Sequence, residues 1–266
     1  MIEKKSALPP EQYAREVLCL LGIEGTPTPV IEICEAFDLE IVYEDIDADG
    51  ILVRQVDRNL MIVKDHMDSY EARQFYTIAH ELGHFYLPWH RKNSYICNKE
   101  DMHNFQSMEE IEHEANRFAS ELLMPDPQFS SDVKRSDLIM SDVMALSNKY
   151  QTSLTSTAIR MAKRSDLSGA IICCKDGRIS WVVKTHSAED FEFRSGRLSE
   201  QTYAHDVFLG KPIDDRKLRV HSIAWLSNID FEYDDYTIYE QTLPMPRLNQ
   251  TLSIITIDEG VIPPFR

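Results

Sequence analysis

Positive charge is scarce in this chain: 28 lysines and arginines stand against 44 aspartates and glutamates, a formal charge of −16 over 266 residues. Such a surface repels nucleic acid over most of its extent, so direct DNA or RNA binding would need a local basic patch. The acidity keeps the protein soluble and could also attract a basic protein partner. Long apolar runs are missing too. No stretch approaches the eighteen or more residues of a membrane span, and Met1-Ile-Glu-Lys-Lys is not followed by the apolar segment of a secretory signal. The cysteines (Cys19, Cys34, Cys97, Cys173 and Cys174) form no C-x-x-C pair and, being odd in number, cannot all pair with one another. A reducing, cytoplasmic location with no membrane partner is expected. Internal repeats and low-complexity tracts are also absent. What is present, 43% hydrophobic residues over this length, suffices for one large domain or two smaller ones.

The most informative stretch is His80-Glu81-Leu82-Gly83-His84. Imidazoles at i and i+4 stand one above the other on a helix and can grip one metal ion, whereas on a strand they would lie too far apart. The flanks predict that helix. Asp68 with Glu71 reads as a capping box, Phe75, Ile78, Ala79, Leu82, Phe85 and Tyr86 form an apolar stripe, and Pro88 ends it. Thr77, His80 and His84 fall on the opposite face. A catalytic zinc takes three protein ligands and keeps one position for water, so a third ligand is required. A second helix offers it. Ser107 and Glu110 make its capping box, Ile111, Ala115, Phe118, Ala119 and Leu122 its buried stripe, and Pro125 its end. Glu112 flanks that stripe and is the best candidate; Glu109, Glu110 and Glu114 turn further toward water, with Glu109 and Glu114 next in line. Asn116, one turn beyond Glu112, can hydrogen-bond a ligating imidazole or the Glu112 carboxylate. Without the first helix, these carboxylates would read as a solvated acidic face.

Two imidazoles and one carboxylate suit Zn2+ and leave it roughly one positive charge, enough to lower the pKa of a bound water to about 7. Glu81, adjacent to a ligand but not itself one, fits the base that accepts the water's proton. Tyr86, Tyr95, His103 and His113 are candidate donors to a developing oxyanion. Cys97 lies in the loop-like segment 91–105 between the two helices. A thiolate binds zinc better than water does, so Cys97 could fill the open position in a latent state, or be a plain loop cysteine.

Thr77-Ile-Ala-His-Glu-Leu-Gly-His84, followed by Glu112-His-Glu-Ala-Asn-Arg-Phe-Ala-Ser-Glu-Leu-Leu-Met-Pro125, resembles the paired signature of the ImmA/IrrE metallopeptidases. The resemblance is specific over residues 72–125 and looser over about 9–165. It implies a gluzincin-like endopeptidase with His80, His84 and Glu112 as zinc ligands and Glu81 as catalytic base. It also implies a protein substrate: several members cleave a helix-turn-helix repressor encoded beside them, switching on a stress, defence or mobile-element programme. In the gluzincin plan a strand borders the cleft, so Leu60 to Val63 could pair with an extended substrate or serve the sheet alone. The alternative function is a nonenzymatic DNA-binding or sensor regulator with a structural zinc site. Glu81 argues against it, because a structural site has no use for a non-ligating carboxylate there.

The expected fold class is α+β: a helical, zincin-like metallopeptidase domain with a small sheet over residues 1–165, followed by a sheet-rich sensor or substrate-recognition domain over 166–266. A first helix opens at Pro9-Pro10 and directs Tyr13, Val17, Leu20 and Leu21 inward; a second begins near Pro29 and buries Val30, Ile33, Cys34 and Phe37. Strands are expected at 39–43, 50–53 and 60–63. A helical pair within 142–164 superficially resembles a helix-turn-helix, but Arg160, Lys163 and Arg164 are a thin footprint for DNA, so it reads as structural. Beyond Ser168, Lys175-Asp-Gly-Arg178 signals a hairpin, with further strands expected at 191–193, 218–225, 235–240 and 252–257.

Overall fold

A computed structural model describes residues 8–65, 71–90, 94–97, 110–227 and 237–258. The α+β class expected from the sequence is the class observed. Helix α1 (Pro10–Leu20) places its proline where no backbone N–H is needed and buries Tyr13, Ala14, Val17 and Leu18. Leu20 is not a core residue: it is 66% exposed. Ala14, Val17 and Leu18 share one face at i, i+3 and i+4, and two further steps of about 100° carry Leu20 away from it. Helix α2 (Val30–Ala36) buries Val30, Ile33 and Cys34. Burial, with the Glu35 charge beside it, pushes the Cys34 thiol up to about 12, so this cysteine packs rather than reacts.

A sheet follows, built from β1 (Leu39–Glu44), β2 (Gly50–Arg54), β3 (Asn59–Lys64) and β4 (Ser94–Cys97) in the order β1-β3-β2-β4. Strand β3 runs parallel to β1 and antiparallel to β2, and β4 pairs antiparallel with β2. Leu60–Val63 is therefore interior, with both backbone edges occupied, and cannot take up an extended substrate; among the described residues the sheet's edges are β1 and β4. The segment read as a loop between the two motif helices contains β4, whose backbone finds its partners in Gly50–Val53, far away in the sequence.

Helices α3 (Glu71–Tyr86) and α4 (Glu110–Leu123) carry the motif residues, while the capping-box positions Asp68 and Ser107 lie outside the described residues. Ile78, Ala79 and Leu82 of α3 share one apolar core with Phe118, Ala119 and Leu122 of α4, Tyr13 and Val17 of α1, and Leu52, Met61 and Val63 of the sheet. Gly83 sets how close the two helices come. A Cβ there would lie 3.2 Å from a Phe118 ring carbon and 3.3 Å from the Ala115 Cα. Helix α1 is also tied to α4 by charge: Arg117 donates to both carboxylate oxygens of Glu11 at 2.7 Å, and Arg15 donates to the buried Glu121 at 3.0 Å.

Three helices come next, α5 (Gln128–Val133), α6 (Met140–Tyr150) and α7 (Leu154–Ala162). The chain forms two compact units, one up to Phe129 with Ser147–Ser153, the other Ser130–Leu146 with the chain from Leu154 onward. The second unit holds an antiparallel sheet of β5 (Gly169–Lys175), β6 (Arg178–Lys184), β7 (Gly196–Arg197), β8 (Leu218–Val220), β9 (Ile238–Met245) and β10 (Gln250–Ile257), ordered β7-β6-β5-β10-β9-β8. Asp176 and Gly177 turn the β5–β6 hairpin with φ of 52° and 72°. Strand β5 is buried except at Lys175, so Cys173 and Cys174 are both inside, with burial pushing their thiols up to about 11 and about 12.

Two strands expected here are shorter than foreseen. Residues 191–193 contribute a single bridge, Phe193 to Leu226, and the strand from Leu218 stops at Val220. A 3-10 turn, Ser222–Ala224, then seats the fully buried Trp225. The Trp225 indole donates to Glu240 at 2.9 Å, and Glu240 also accepts from the first backbone N–H groups of α8 (Tyr203–Phe208).

The Glu11–Arg117 pair gives a measurable pH signature. Burial works against the charged form of Glu11, yet the Arg117 bonds hold its carboxyl below its ordinary value. Its contribution is present above the unfolded carboxylate value and is lost as pH falls through the lower folded value. Because Arg117 is 41% exposed and screened by solvent, Glu11→Gln should cost about 1 kcal/mol at neutral pH. Urea denaturation should show the gap from wild type shrinking as pH is taken from about 5 toward about 2.

Candidate metal centre

Three ligand-type atoms from α3 and α4 converge. His80 Nε2 lies 3.0 Å from His84 Nε2 and 3.1 Å from Glu112 Oε2, and His84 Nε2 lies 3.3 Å from the same oxygen. The edges of a tetrahedron around a zinc ion with bonds near 2.0 Å are about 3.3 Å long, so this triangle is close to one face of such a tetrahedron. Lone-pair atoms this close need a cation among them, either a proton or a metal ion. Both imidazoles are fully buried and Glu112 is 9% exposed. The set fits a divalent metal ion held by two nitrogens and one oxygen.

The protonation preferences are set by burial and by the triangle itself. Burial disfavours the charged form of Glu112 less than the His80 and His84 hydrogen bonds favour it, so its carboxyl lies below the usual carboxylate range. Burial pushes His84 down to about 3, against the pull of Glu112. At His80 burial also opposes charge, but the Glu112 bond and the Glu81 charge outweigh it and raise the value.

The outer nitrogens of the two imidazoles have different partners. His80 Nδ1 lies 2.9 Å from Asn116 Oδ1, an oxygen that can only accept, so the ring carries its hydrogen on Nδ1 and leaves Nε2 free to coordinate. Tyr76 donates its hydroxyl to the same amide oxygen at 3.0 Å. His84 Nδ1 faces His90 Nδ1 at 3.0 Å, and His90 Nε2 lies 3.1 Å from Glu114 Oε2. Trp89 donates its indole N–H to that Glu114 oxygen at 2.7 Å.

Glu81 is fully buried beneath β2. A Cβ on Gly50 would stand 2.7 Å from Glu81 Oε1 and 2.7 Å from Thr77 Cγ2, so the bare backbone at the start of β2 is what fits against the two side chains. A bidentate pair anchors that strand: Arg73 of α3 donates to both oxygens of Asp49 at 2.6 and 2.7 Å. At the strand's other end Arg54 donates to the carbonyls of His84 and Phe85. A cation at those C-terminal carbonyls also suits the helix dipole.

The structure thus gathers His80, His84, Glu112 and Asn116 in one cluster, with Glu81 beside His80 on α3. Glu114 departs from expectation: only 8% exposed, it is not turned to water. The one-helix step places it away from Glu112, but the turn Leu87–His90, closed by a bond from His90 N to Leu87 O, brings Trp89 and His90 round to it. His90 and Gly50 were not singled out from the sequence; Pro88, which forces the chain out of the helix, was the signal available for His90. Of the oxyanion-donor candidates, Tyr86 packs among Tyr13, Phe37 and Phe118, and His113 is exposed. His103, Glu109 and the side chains of Tyr95 and Cys97 lie outside the described residues.

Residues 34–162 match the sequence profile of the IrrE N-terminal-like domain, a peptidase family. The chain is also 30% identical over 112 residues to Metallopeptidase ImmA of Bacillus subtilis (strain 168), a match covering 42% of this chain and 62% of that protein. It therefore spans less than two thirds of that relative's length. Among solved structures, a Mycobacterium tuberculosis transcriptional regulator shares the fold, with a TM-score of 0.55 at 13% identity over 93% of this chain and 87% of that one. The buried donor set lies within the matched residues and could hold a metal ion. Through residues 34–162 the chain is similar to the ImmA/IrrE family of metallopeptidases.

Gly50→Ala tests the fit of β2 over Glu81. The added methyl would press on Glu81 and Thr77 and should destabilise the fold by about 1–3 kcal/mol in chemical denaturation. Bound metal per chain should be unchanged, since the three ligand atoms are not the ones displaced.

Proposed function

We propose that the protein is a zinc-dependent endopeptidase that cuts a specific regulatory protein, a helix-turn-helix transcriptional repressor, to switch on a stress, defence or mobile-element programme. The observation that carries this reading is the buried triangle of His80 Nε2, His84 Nε2 and Glu112 Oε2 at 3.0–3.3 Å, with the carboxylate of Glu81 one residue from its first corner. Zinc bound there would supply a Lewis acid and a water ionisable near neutral pH. His80 and His84 would hold it through Nε2 and Glu112 through Oε2. Glu81 takes the proton of the attacking water as the new C–O bond forms, then gives it to the amine nitrogen as the C–N bond breaks. Residues 166–266 carry signal sensing or substrate recognition in this reading, supported by the position of every donor before Pro125.

The regulator alternative is weakened by the helical pair α6–α7. Arg160 is only 7% exposed, which leaves Lys163 and Arg164 as its outward basic residues among the three named above. A net charge of −16 opposes DNA further.

The protein would also be latent at rest, with Cys97 in the fourth zinc position. The pairing of Cys97 with Gly50, the residue packed against Glu81, supports this.

His80→Ala, His84→Ala and Glu112→Ala should each lose metal, whereas Glu81→Gln should keep it and lose at least about 100-fold in cleavage rate. Metal analysis by mass spectrometry and a gel assay against any helix-turn-helix repressor whose gene adjoins this one are the measurements. Full occupancy in Glu112→Ala would move the third ligand elsewhere, and an uncut repressor with zinc-loaded protein would overturn the assigned substrate. Salt-dependent DNA binding by the isolated protein would favour the regulator instead.

For latency, Cys97→Ser should raise basal proteolysis, and X-ray absorption of the resting zinc form should show sulfur at about 2.3 Å. A shell of nitrogen and oxygen alone, with unchanged activity in the variant, would remove Cys97 from the mechanism.

A further inference from the structure

The contact between His84 and His90 joins two imidazoles end to end, and the direction of its hydrogen bonds follows from the far end. Glu114, as a carboxylate, only accepts. His90 Nε2, 3.1 Å from Glu114 Oε2, therefore carries the hydrogen. A neutral imidazole has one N–H, which leaves His90 Nδ1 as an acceptor. The 3.0 Å contact to His84 Nδ1 then requires His84 to donate, which places its remaining lone pair on Nε2, the atom at the metal triangle. Glu114 is itself fixed by the Trp89 indole at 2.7 Å, and the Trp89 ring packs edge-on against Tyr13 with centroids 5.5 Å apart. His80 reaches the same tautomer by a shorter route, through the Asn116 amide.

We infer that His90 and Glu114 are positioning residues for the metal: a chain from Glu114 through His90 to His84 selects the coordinating tautomer of His84 and holds its ring toward the ion. This rests on the reading of His80, His84 and Glu112 as metal ligands. His90 touches neither substrate nor metal; it acts through His84. Its geometry also accounts for two features the metal triangle leaves unexplained, the burial of Glu114 and the tight turn after Pro88 that returns the chain to the site. Removing an outer partner of a ligating histidine typically weakens metal binding about 10- to 100-fold.

The experiment uses the full chain and Zn2+ as the probe. Wild type, His84→Ala, His90→Ala, His90→Asn and Glu114→Gln are compared by chelator-competition affinity. Thermal melts establish that each variant is folded, and nitrogen NMR of labelled histidine reads the tautomer of His84. His90→Ala should bind one zinc per chain about 10- to 100-fold more weakly and lose the single Nδ1–H signature of His84. His90→Asn, whose amide oxygen can accept where His90 Nδ1 does, should recover most of the affinity; a filler without that acceptor would not. Glu114→Gln keeps the acceptor but drops the charge, and should fall between wild type and His90→Ala. Wild-type affinity and an unchanged His84 signature in a folded His90→Ala protein would overturn the proposal while leaving the metal site intact. Failure of wild type itself to bind zinc, or unchanged binding in His84→Ala, would instead overturn the ligand assignment on which it rests.

Discussion

The distance between α3 and α4 governs everything that the metal triangle can do. The two imidazoles come from one helix and the carboxylate from the other, and protein–metal bonds tolerate errors of only a few tenths of an ångström. At Gly83 the α3 backbone lies where a Cβ would already press on Phe118 and the Ala115 Cα. A larger residue at that point would pry the helices apart and carry the Glu112 oxygen out of the triangle, without altering a single ligand. The apolar core formed by Ile78, Leu82, Phe118 and Leu122 supplies the force that closes the pair. Glycine at position 83 supplies the stopping distance.

Among the described residues, buried carboxylates recur as junctions in a chain that is strongly acidic as a whole. Glu112 joins the two motif helices, Glu114 joins α4 to the turn after α3, Glu121 receives Arg15 of α1 and the N–H of Asp126, and Glu240 gathers Trp225, Thr242 and the start of α8. Burying a carboxylate without donors would cost several kcal/mol, so each of these sites is determinate: the donors must arrive together or the glutamate cannot enter. That requirement orients elements more sharply than apolar contact alone, since apolar contact is indifferent to direction.

The parts readable from the sequence were those written in local period. The i, i+4 histidines, the stripes of α3 and α4, the prolines that stop them and the Asp-Gly hairpin turn all depend on residues a few positions apart. Asn116 was readable for the same reason, standing one turn from Glu112. The parts not readable depend on who pairs with whom. Nothing within Ser94–Cys97 says that it is a strand until Gly50–Val53 is set beside it, and nothing within Leu60–Val63 says that β1 has taken its second edge. Leu18 and Leu20 are chemically alike, so only the packing partner of α1 decides which is inside. Glu114 reads as solvated from α4 alone, because the residues that cover it, Trp89 and His90, come from the turn that follows α3.

The edge-to-face contact between Tyr13 and Trp89 connects this local chemistry to the N-terminal helix. Trp89 holds Glu114, Glu114 holds His90, and Tyr13 sits on α1, which is also bound to α4 through Glu11 and Arg15. Fraying of α1 would therefore loosen the support behind His84. An ion that binds the ordered site and not the frayed one must, by mass action, pull α1 into place. Occupancy of the centre and order at the beginning of the domain are then two readings of one equilibrium, and in a cell the supply of free metal would set how much of the chain stands ready.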